Sequence, residues 1–364
     1  MSIFSKLYRG ETRFDFIGTR RRWYAASALL IVICILSIAF RGFNVSIDFK
    51  GGTQFQLPKG ANVTVTSAQN AMQSAGQTPE GAAQQVGSGS NSQIIIKTKE
   101  LSQQEQSDVV AKMATALKIN KSDITIDSVS STWGSEITTK AVQGLIAFLI
   151  FVFIYIAVRY EWRMGVGALV ALLHDMIISA GIYSIVGFEL TPSTIVGLLT
   201  ILGFSLYDTV VVFDKVNENA KDLGATARMT YGEAANLAVN QTLMRSINTS
   251  LISLLPVAGL LFVGAGLLGV GTIKDLALIL FIGLAVGAYS SLFLATPIVV
   301  ELKERQPENK ILAKRVQAKR ANAARTGDPA LATAAAATAP RVAGVPAPAP
   351  RPGARPVRKA RKRP

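Results

Sequence analysis

Six long apolar runs set the pattern of this chain, near residues 23–40, 141–158, 165–187, 191–213, 244–265 and 272–298. Each holds roughly 18 or more residues almost free of charge, the length a helix needs to cross a bilayer. They predict six transmembrane helices, unevenly spaced. About 100 residues separate the first from the second, whereas the last five follow closely, with 214–243 as the longest inner link.

Between the first two runs the period changes. Val45 to Phe49, a Gly51-Gly52 break, and Gln54 to Leu57 alternate apolar and polar residues, which reads as a half-buried strand interrupted by glycine. Thr66 to Ala75 reads as a helix, and Ala83 to Val86 and Gln93 to Lys97 read as short strands. Ser102 to Leu117 reads as a second helix, capped by Ser102 with Glu105 three residues on. Ile124, Ile126 and Val129 suggest a last strand. The order β-α-β-β-α-β is that of a ferredoxin-like domain. The expected fold is therefore a polytopic α-helical membrane protein with an external α+β ferredoxin-like domain between helices 1 and 2. Its divisions fall at 1–22, 23–40 (helix 1), 41–140 (external domain), 141–300 (helices 2–6) and 301–364.

Composition agrees with a membrane protein: 49% of residues are hydrophobic and 17% charged, against about 25% charged in soluble domains. The net charge of +15 is concentrated, since Glu301 to Pro364 carries 16 Lys and Arg against 4 Asp and Glu, a net +12. From about residue 305 Ala, Pro and Arg dominate, and the small apolar content predicts a disordered tail. Lys6, Arg9, Arg13, Arg20 to Arg22, Arg159, Arg163, Lys215, Lys221, Arg228 and the tail fall on one side of a six-span topology. By the positive-inside rule both termini are cytoplasmic. The first run is long for a signal core and no small-residue cleavage site follows, so it reads as an uncleaved anchor. The basic clusters Lys314, Arg315, Lys319, Arg320 and Arg358 to Arg363 suit anionic lipid or ribosomal RNA. They equally suit a role limited to fixing topology and solvating the tail.

Candidate chemistry is sparse. Cys34 is the single cysteine and His174 the single histidine, which leaves no disulfide, no Cys/His metal cluster and no histidine triad within the chain. No phosphate-binding glycine loop is present and the external domain has no paired catalytic carboxylates, so neither an enzyme nor a bound cofactor is expected. A charge inside a bilayer costs about 2.5–3.5 kcal/mol on insertion scales, so each one needs a reason. Asp208 lies in the fourth run. Arg245 enters the fifth, where Gln241, Arg245, Asn248 and Thr249 follow a spacing that puts them on one helix face. His174 and Asp175 adjoin near the middle of the third. An Asp–Arg pair that forms and parts would change the carboxylate's hold on a proton. The plainer readings are a packing hydrogen bond for Asp208, a snorkelling Arg245 and a His–Asp pair that holds helices together.

Several stretches resemble the SecF branch of the SecD/SecF family, in the resistance-nodulation-division (RND) superfamily. Ile47-Asp48-Phe49-Lys50-Gly51-Gly52-Thr53 is similar to that family's external signature, carrying Asp48, Gly51 and Gly52. Gly187 to Pro192 and Leu206 to Asp214, with Pro192, Thr209 and Asp214, resemble the fourth-helix signature. Asn240 to Ser246 resembles the fifth-helix signature and Leu172 to Asp175 the third. The likeness covers about 20–300; Tyr207 departs from it, standing where many members have Asn. The resemblance implies an RND-type half that pairs with SecD and associates with the SecYEG translocon in the bacterial cytoplasmic membrane. It implies use of the proton-motive force to draw exported preprotein chains across after SecA-driven translocation, with YajC and membrane lipid as further neighbours. Asp208 and Arg245 match residues implicated in proton conduction, with His174 and Asp175 as further candidates on that path. Two alternatives stay open: an assembly factor of the translocon without proton transport, and half of another proton-driven RND exporter.

Overall fold

The computed structural model describes residues 14–60, 63–81, 83–86, 92–267 and 271–326. Helix α1 (Arg20–Arg41) ends at Gly42, which takes φ +70°. Strand β1 (Asn44–Val45) follows. Residues Ile47–Lys50 then form one helical turn rather than the expected strand. Ser46 caps that turn by accepting from the Asp48 amide, and Gly51 closes it at φ +76°. The apolar–polar alternation was too short to outweigh a cap and a left-handed glycine.

Strand β2 (Gly52–Pro58), helix α2 (Val65–Ser74), strands β3 (Gln84–Val86) and β4 (Gln93–Thr98), helix α3 (Gln103–Leu117) and strand β5 (Thr125–Val129) form the external domain. Its antiparallel sheet runs in the order β3-β4-β2-β5, with Phe55 opposite Ile96 on one side and Ile126 on the other. This is the expected β-α-β-β-α-β arrangement. Phe55, Leu57, Met72, Ile94, Val109 and Met113 fill the space between sheet and helices. Both helices start from reciprocal caps, Thr64 with Ser67 and Ser102 with Glu105.

The chain passes from β5 into α4 (Ser131–Arg159), followed by α5 (Trp162–Val186), strand β6 (Glu189–Leu190) and α6 (Pro192–Ala220). After the turn Leu223–Thr226 come α7 (Tyr231–Gly259), a π-helical stretch Leu260–Leu267, and α8 (Gly271–Ser290). A second π-helical turn, Ser291–Ala295, joins α8 to α9 (Thr296–Glu304), and α10 (Pro307–Thr326) follows. Among the described residues six helical segments are long and apolar enough to span a membrane: Arg20–Arg41, Ser131–Arg159, Trp162–Val186, Pro192–Thr226, Tyr231–Gly264 and Lys274–Glu304. Their common core draws on α4 to α7, the Ser291–Ala295 turn and α9, with Ile156, Met164, Leu202, Phe213, Val239 and Val299 buried within it.

Two contacts join the external domain to the bundle. β1 pairs in parallel with β6, Asn44 opposite Glu189. The Ile47–Lys50 turn also presses on the start of α4 so closely that a Cβ on Gly134 would lie 2.6 Å from the Phe49 carbonyl oxygen. At the opposite end of the bundle, Asn236 and Asn240 of α7 bind the backbone before α1, with the Phe14 amide donating to Asn240 at 2.9 Å and the Phe16 amide to Asn236 at 2.8 Å.

The tail differs from the expected disorder over its first part. α10 lays Leu312 and Val316 on Leu223 and Ala234, and Arg320 donates twice to Glu233 at 2.8 Å. Two apolar residues four apart and one bidentate ion pair give this segment a docking face that overall composition conceals. The stretch from 327 onward lies outside the described residues, so the basic cluster at Arg358 to Arg363 does as well.

Candidate functional site

Four membrane helices, α5 to α8, converge on two buried carboxylates. Asp208 of α6 is 6% exposed and Asp175 of α5 is 1% exposed. Serine hydroxyls supply most of their partners. Asp208 accepts from Ser246 of α7 at 2.7 Å and from Ser291, at the end of α8, at 2.6 Å. Asp175 accepts from Ser205 of α6 at 2.6 Å and from Ser290 of α8 at 2.8 Å, while its other oxygen lies 3.1 Å from His174 Nδ1. The Nε2 atom of His174 is buried and meets no hydrogen-bonding group among the described residues.

Glycine makes this approach possible. A Cβ on Gly287 of α8 would stand 3.0 Å from the Ser205 Cβ, and one on Gly283 would stand 2.2 Å from Ile201. Small residues at a helix crossing let backbones close and polar groups meet. The α6–α7–α8 junction leaves a crevice of about 10 Å³, lined by Asp208, Ser205, Thr249, Ser250, Gly283 and Gly287. That volume holds about one water molecule.

The predicted residues divide. Asp208, Asp175 and His174 come together through shared serine partners. Arg245 does not join them: it is exposed on α7 and donates to the Tyr207 hydroxyl at 3.2 Å. No Lys or Arg forms an ion pair with either aspartate among the described residues. The expected Asp208–Arg245 pair is therefore not made here. Asp208 points into the bundle and Tyr207, one residue earlier on the helix, points out. Of the polar stripe, Thr249 reaches the crevice, Gln241 accepts from Asn219 at 3.0 Å and Asn248 is exposed.

The other motif residues serve placement. Pro192 opens α6 behind a Thr191 cap, Thr209 is buried beside Asp208, and Asp214 is exposed. Asp48 accepts from Ser46 at 2.9 Å within the capped turn, far along the chain from the carboxylates. Gly51 and Gly52 are buried at φ +76° and +143°, and a Cβ on Gly52 would lie 2.8 Å from the Thr98 carbonyl oxygen. Sequence reasoning missed Ser290 and Ser291. Their signal was present as two consecutive hydroxyls within an apolar run.

A six-helix membrane bundle with an external domain after its first helix and a carboxylate centre inside defines the class. The comparisons place it within that class. Residues 109–305 match the family model described as protein export membrane protein SecD/SecF, C-terminal, and residues 36–58 match the SecD/SecF GG motif. The protein translocase subunit SecF of Streptomyces coelicolor is 45% identical over 327 residues, covering 90% of this chain and 86% of that protein. The SecF of Mycobacterium tuberculosis H37Rv is 47% identical over 315 residues, covering 84% and 70%. The crystal structure of SecDF from Thermus thermophilus, described as a translocon-associated membrane protein, aligns with a TM-score of 0.72 at 34% identity. It covers 81% of this chain, which spans only 39% of that larger protein. The chain belongs to the SecD/SecF family of protein export membrane proteins, on its SecF side.

Proposed function

We propose that this chain is the SecF subunit of a bacterial protein translocase, acting beside a SecD partner at the SecYEG channel, and that it draws on the proton-motive force to move exported chains. Both termini lie in the cytoplasm and the α+β domain faces the exported chain. Family membership supports the translocase role, and the names of the relatives support SecD and the translocon as partners.

The observation that carries the proton reading is Asp208: a carboxylate buried inside a membrane bundle, held by two serine hydroxyls and, among the described residues, by no cation. A hydroxyl both donates and accepts, so it serves the ionised and the protonated carboxyl alike. A guanidinium only donates and favours the charged form. Asp208 can thus change protonation without losing its hydrogen bonds, and the crevice beside it has room for about one water molecule. One charge moving through 100 mV is worth about 2.3 kcal/mol, enough to bias a conformational equilibrium. Arg245 and Tyr207 pair with each other on the outer surface of the bundle.

The same serine bonds also join α6, α7 and α8, which is what an assembly factor without proton transport requires. Export into membrane vesicles with and without a proton gradient, comparing wild type with Asp208→Asn at equal complex levels, divides the two. The proton reading expects the variant to assemble and lose the gradient-dependent part. Gradient-dependent export at the wild-type level would leave Asp208 a packing residue.

A further inference from the structure

Ser290 and Ser291 are consecutive, yet they serve different carboxylates. Ser290 donates to Asp175 at 2.8 Å and Ser291 to Asp208 at 2.6 Å. Each hydroxyl also has a second acceptor within reach, the carbonyl oxygen three residues back. Ser290 Oγ lies 3.2 Å from the Gly287 oxygen and Ser291 Oγ lies 3.3 Å from the Ala288 oxygen. A hydroxyl has one proton, so a full bond goes to one acceptor at a time. Moreover, α-helical geometry gives way to a π-helical turn at Ser291. Single π turns within α-helices interrupt the i→i−4 ladder and collect at functional sites.

α6 makes the same double connection from the other side. It carries Asp208 itself, and three residues earlier Ser205 donates to Asp175 at 2.6 Å. α6 and the end of α8 therefore each touch both carboxyl centres.

We infer that Ser290 and Ser291 form a two-position hydroxyl latch that couples the protonation of Asp208 to that of Asp175. This rests on the proton reading of Asp208 and goes beyond it by naming the residues that link the two centres. With both aspartates ionised, each serine donates to its carboxylate. When Asp208 takes a proton on the oxygen facing Ser291, the new O–H donates to Ser291 Oγ. The serine's own proton then turns to the Ala288 carbonyl, and no covalent bond of the serine breaks. Ser290 and its alternative acceptor are the next residues along the same turn, so a rearrangement there is felt at Asp175. His174 adjoins this centre, held to Asp175 through Nδ1, and its Nε2 meets no partner among the described residues.

The titratable groups that adjoin these residues along the packed helices are His174 on α5, Tyr207 on α6, Arg245 on α7 and Tyr289 on α8. The others on the same helices, Arg163, Tyr183, Asp214, Lys215, Glu218, Tyr231, Glu233, Lys274 and Asp275, lie more than a turn away along them. Cys34 on α1 stands 3.9 Å from the Ile178 carbonyl, one turn along α5 from Asp175. Tyr289 gives its hydroxyl to Ser27 and the Trp23 carbonyl, and Arg245 pairs with Tyr207, so neither serves the latch.

The test is the pH profile of gradient-dependent export by the complete complex in vesicles. It compares wild type, Ser290→Ala, Ser291→Ala, the double variant and the Ser→Thr versions that keep the hydroxyl. Each alanine variant removes a donor to an ionised carboxylate and is expected to move the profile to higher pH by about one unit, a tenfold change in proton concentration. Threonine is expected to restore it. The double variant is expected to move the profile no further than either single one, because both hydroxyls belong to one switch. Shifts that add, or a Ser290→Ala profile that overlays wild type, would overturn the latch. If an alanine variant fails to accumulate, Ser→Cys, a weaker donor of similar size, takes its place with the same expectation. Asp208→Asn in the same vesicles separates the two levels. If it abolishes the gradient-dependent step while the serine shifts add, the latch alone is wrong; if the step survives in Asp208→Asn, the proton reading and the latch fall together.

Discussion

At the residue scale, the glycine pair after the first membrane helix has a direct structural reason. Gly51 closes the Ile47–Lys50 turn at φ +76°, and a Cβ there would lie 2.6 Å from the Ser131 backbone at the head of α4. Two demands coincide: a backbone conformation that side chains resist and a contact too close for any side chain. Gly76 separates them, since it has φ +88° and nothing within 4 Å of its would-be Cβ. Gly76→Ala should cost only the conformational part, about 1 kcal/mol. Gly51→Ala should cost on the order of 2–3 kcal/mol or more, because Ser131 must also move. Thermal unfolding of the purified full-length complex, followed by protease cleavage within 41–130, would compare them. Equal losses would show that the contact with α4 contributes nothing.

At the element scale, helix ends carry much of what can be read locally. The Ser102–Glu105 box on α3 has the Glu105 carboxylate accepting from both the Ser102 hydroxyl at 2.7 Å and its amide at 2.8 Å. These bonds hold the Glu105 carboxyl below its ordinary value. A depressed value means the box contributes fully above the usual carboxylate range and fades as pH falls through the value in the folded protein. Ser102→Ala should cost about 1 kcal/mol of local stability. It should also weaken the acid-induced loss of hydrogen-exchange protection in the first turn of α3, leaving the share that comes from the residue-102 amide. Protection in the variant, taken relative to the intrinsic exchange rate, that still falls on acidification as much as in wild type would rule the Ser102 hydroxyl out as its cause. Such features were legible because cap and partner lie three residues apart. So were the six spans and the external domain's element order, each carried by a local period. The Ile47–Lys50 turn was not, since a cap and a glycine outweighed a short alternation. The partners of Asp208 were not legible either. Ser246 and Ser291 come from different helices, and a serine in an apolar run looks the same whether it bonds its own backbone or a carboxylate across a helix crossing. The depth of Arg245 suggested a pair with Asp208, but the rotation of α7 about its axis turned it toward Tyr207 instead. α10 was hidden by composition, because three residues docked on α7 and the loop before it are few among so many Ala and Arg.

At the scale of the whole molecule, the question is how firmly the external domain is tied to the helices that hold the carboxylates. Near the β1–β6 pairing, where the Ser46 amide donates to the Leu190 carbonyl at 3.0 Å, Lys97 of β4 forms an ion pair with Glu189 of β6. Both side chains are largely buried, at 13% and 17% exposure. Beside this tie a cavity of about 340 Å³ separates Glu80 and Gln84 of the domain from Arg41, Asn44 and Gly187 of the bundle. The junction is thus held at its polar contacts and loosely packed between them. Glu189 lies three residues before Pro192, the first residue of α6, so any shift of the pair is passed to the helix that bears Asp208. Removing one member of a buried pair leaves the other charged and desolvated, which is worse than removing both. Lys97→Met should therefore loosen the junction by about 1–2 kcal/mol after allowance for partial exposure, a roughly tenfold rise in hydrogen exchange at Val45 and Leu190. Lys97→Met with Glu189→Gln should recover most of the protection, because no unpaired charge remains. If the single variant exchanges like wild type, the ion pair is incidental and the domain is held by the β1–β6 pairing and the glycine contacts with α4. If exchange rises and gradient-dependent export falls with it, while the double variant restores both, the Lys97–Glu189 tie transmits movement between the α+β domain and the helices around Asp208.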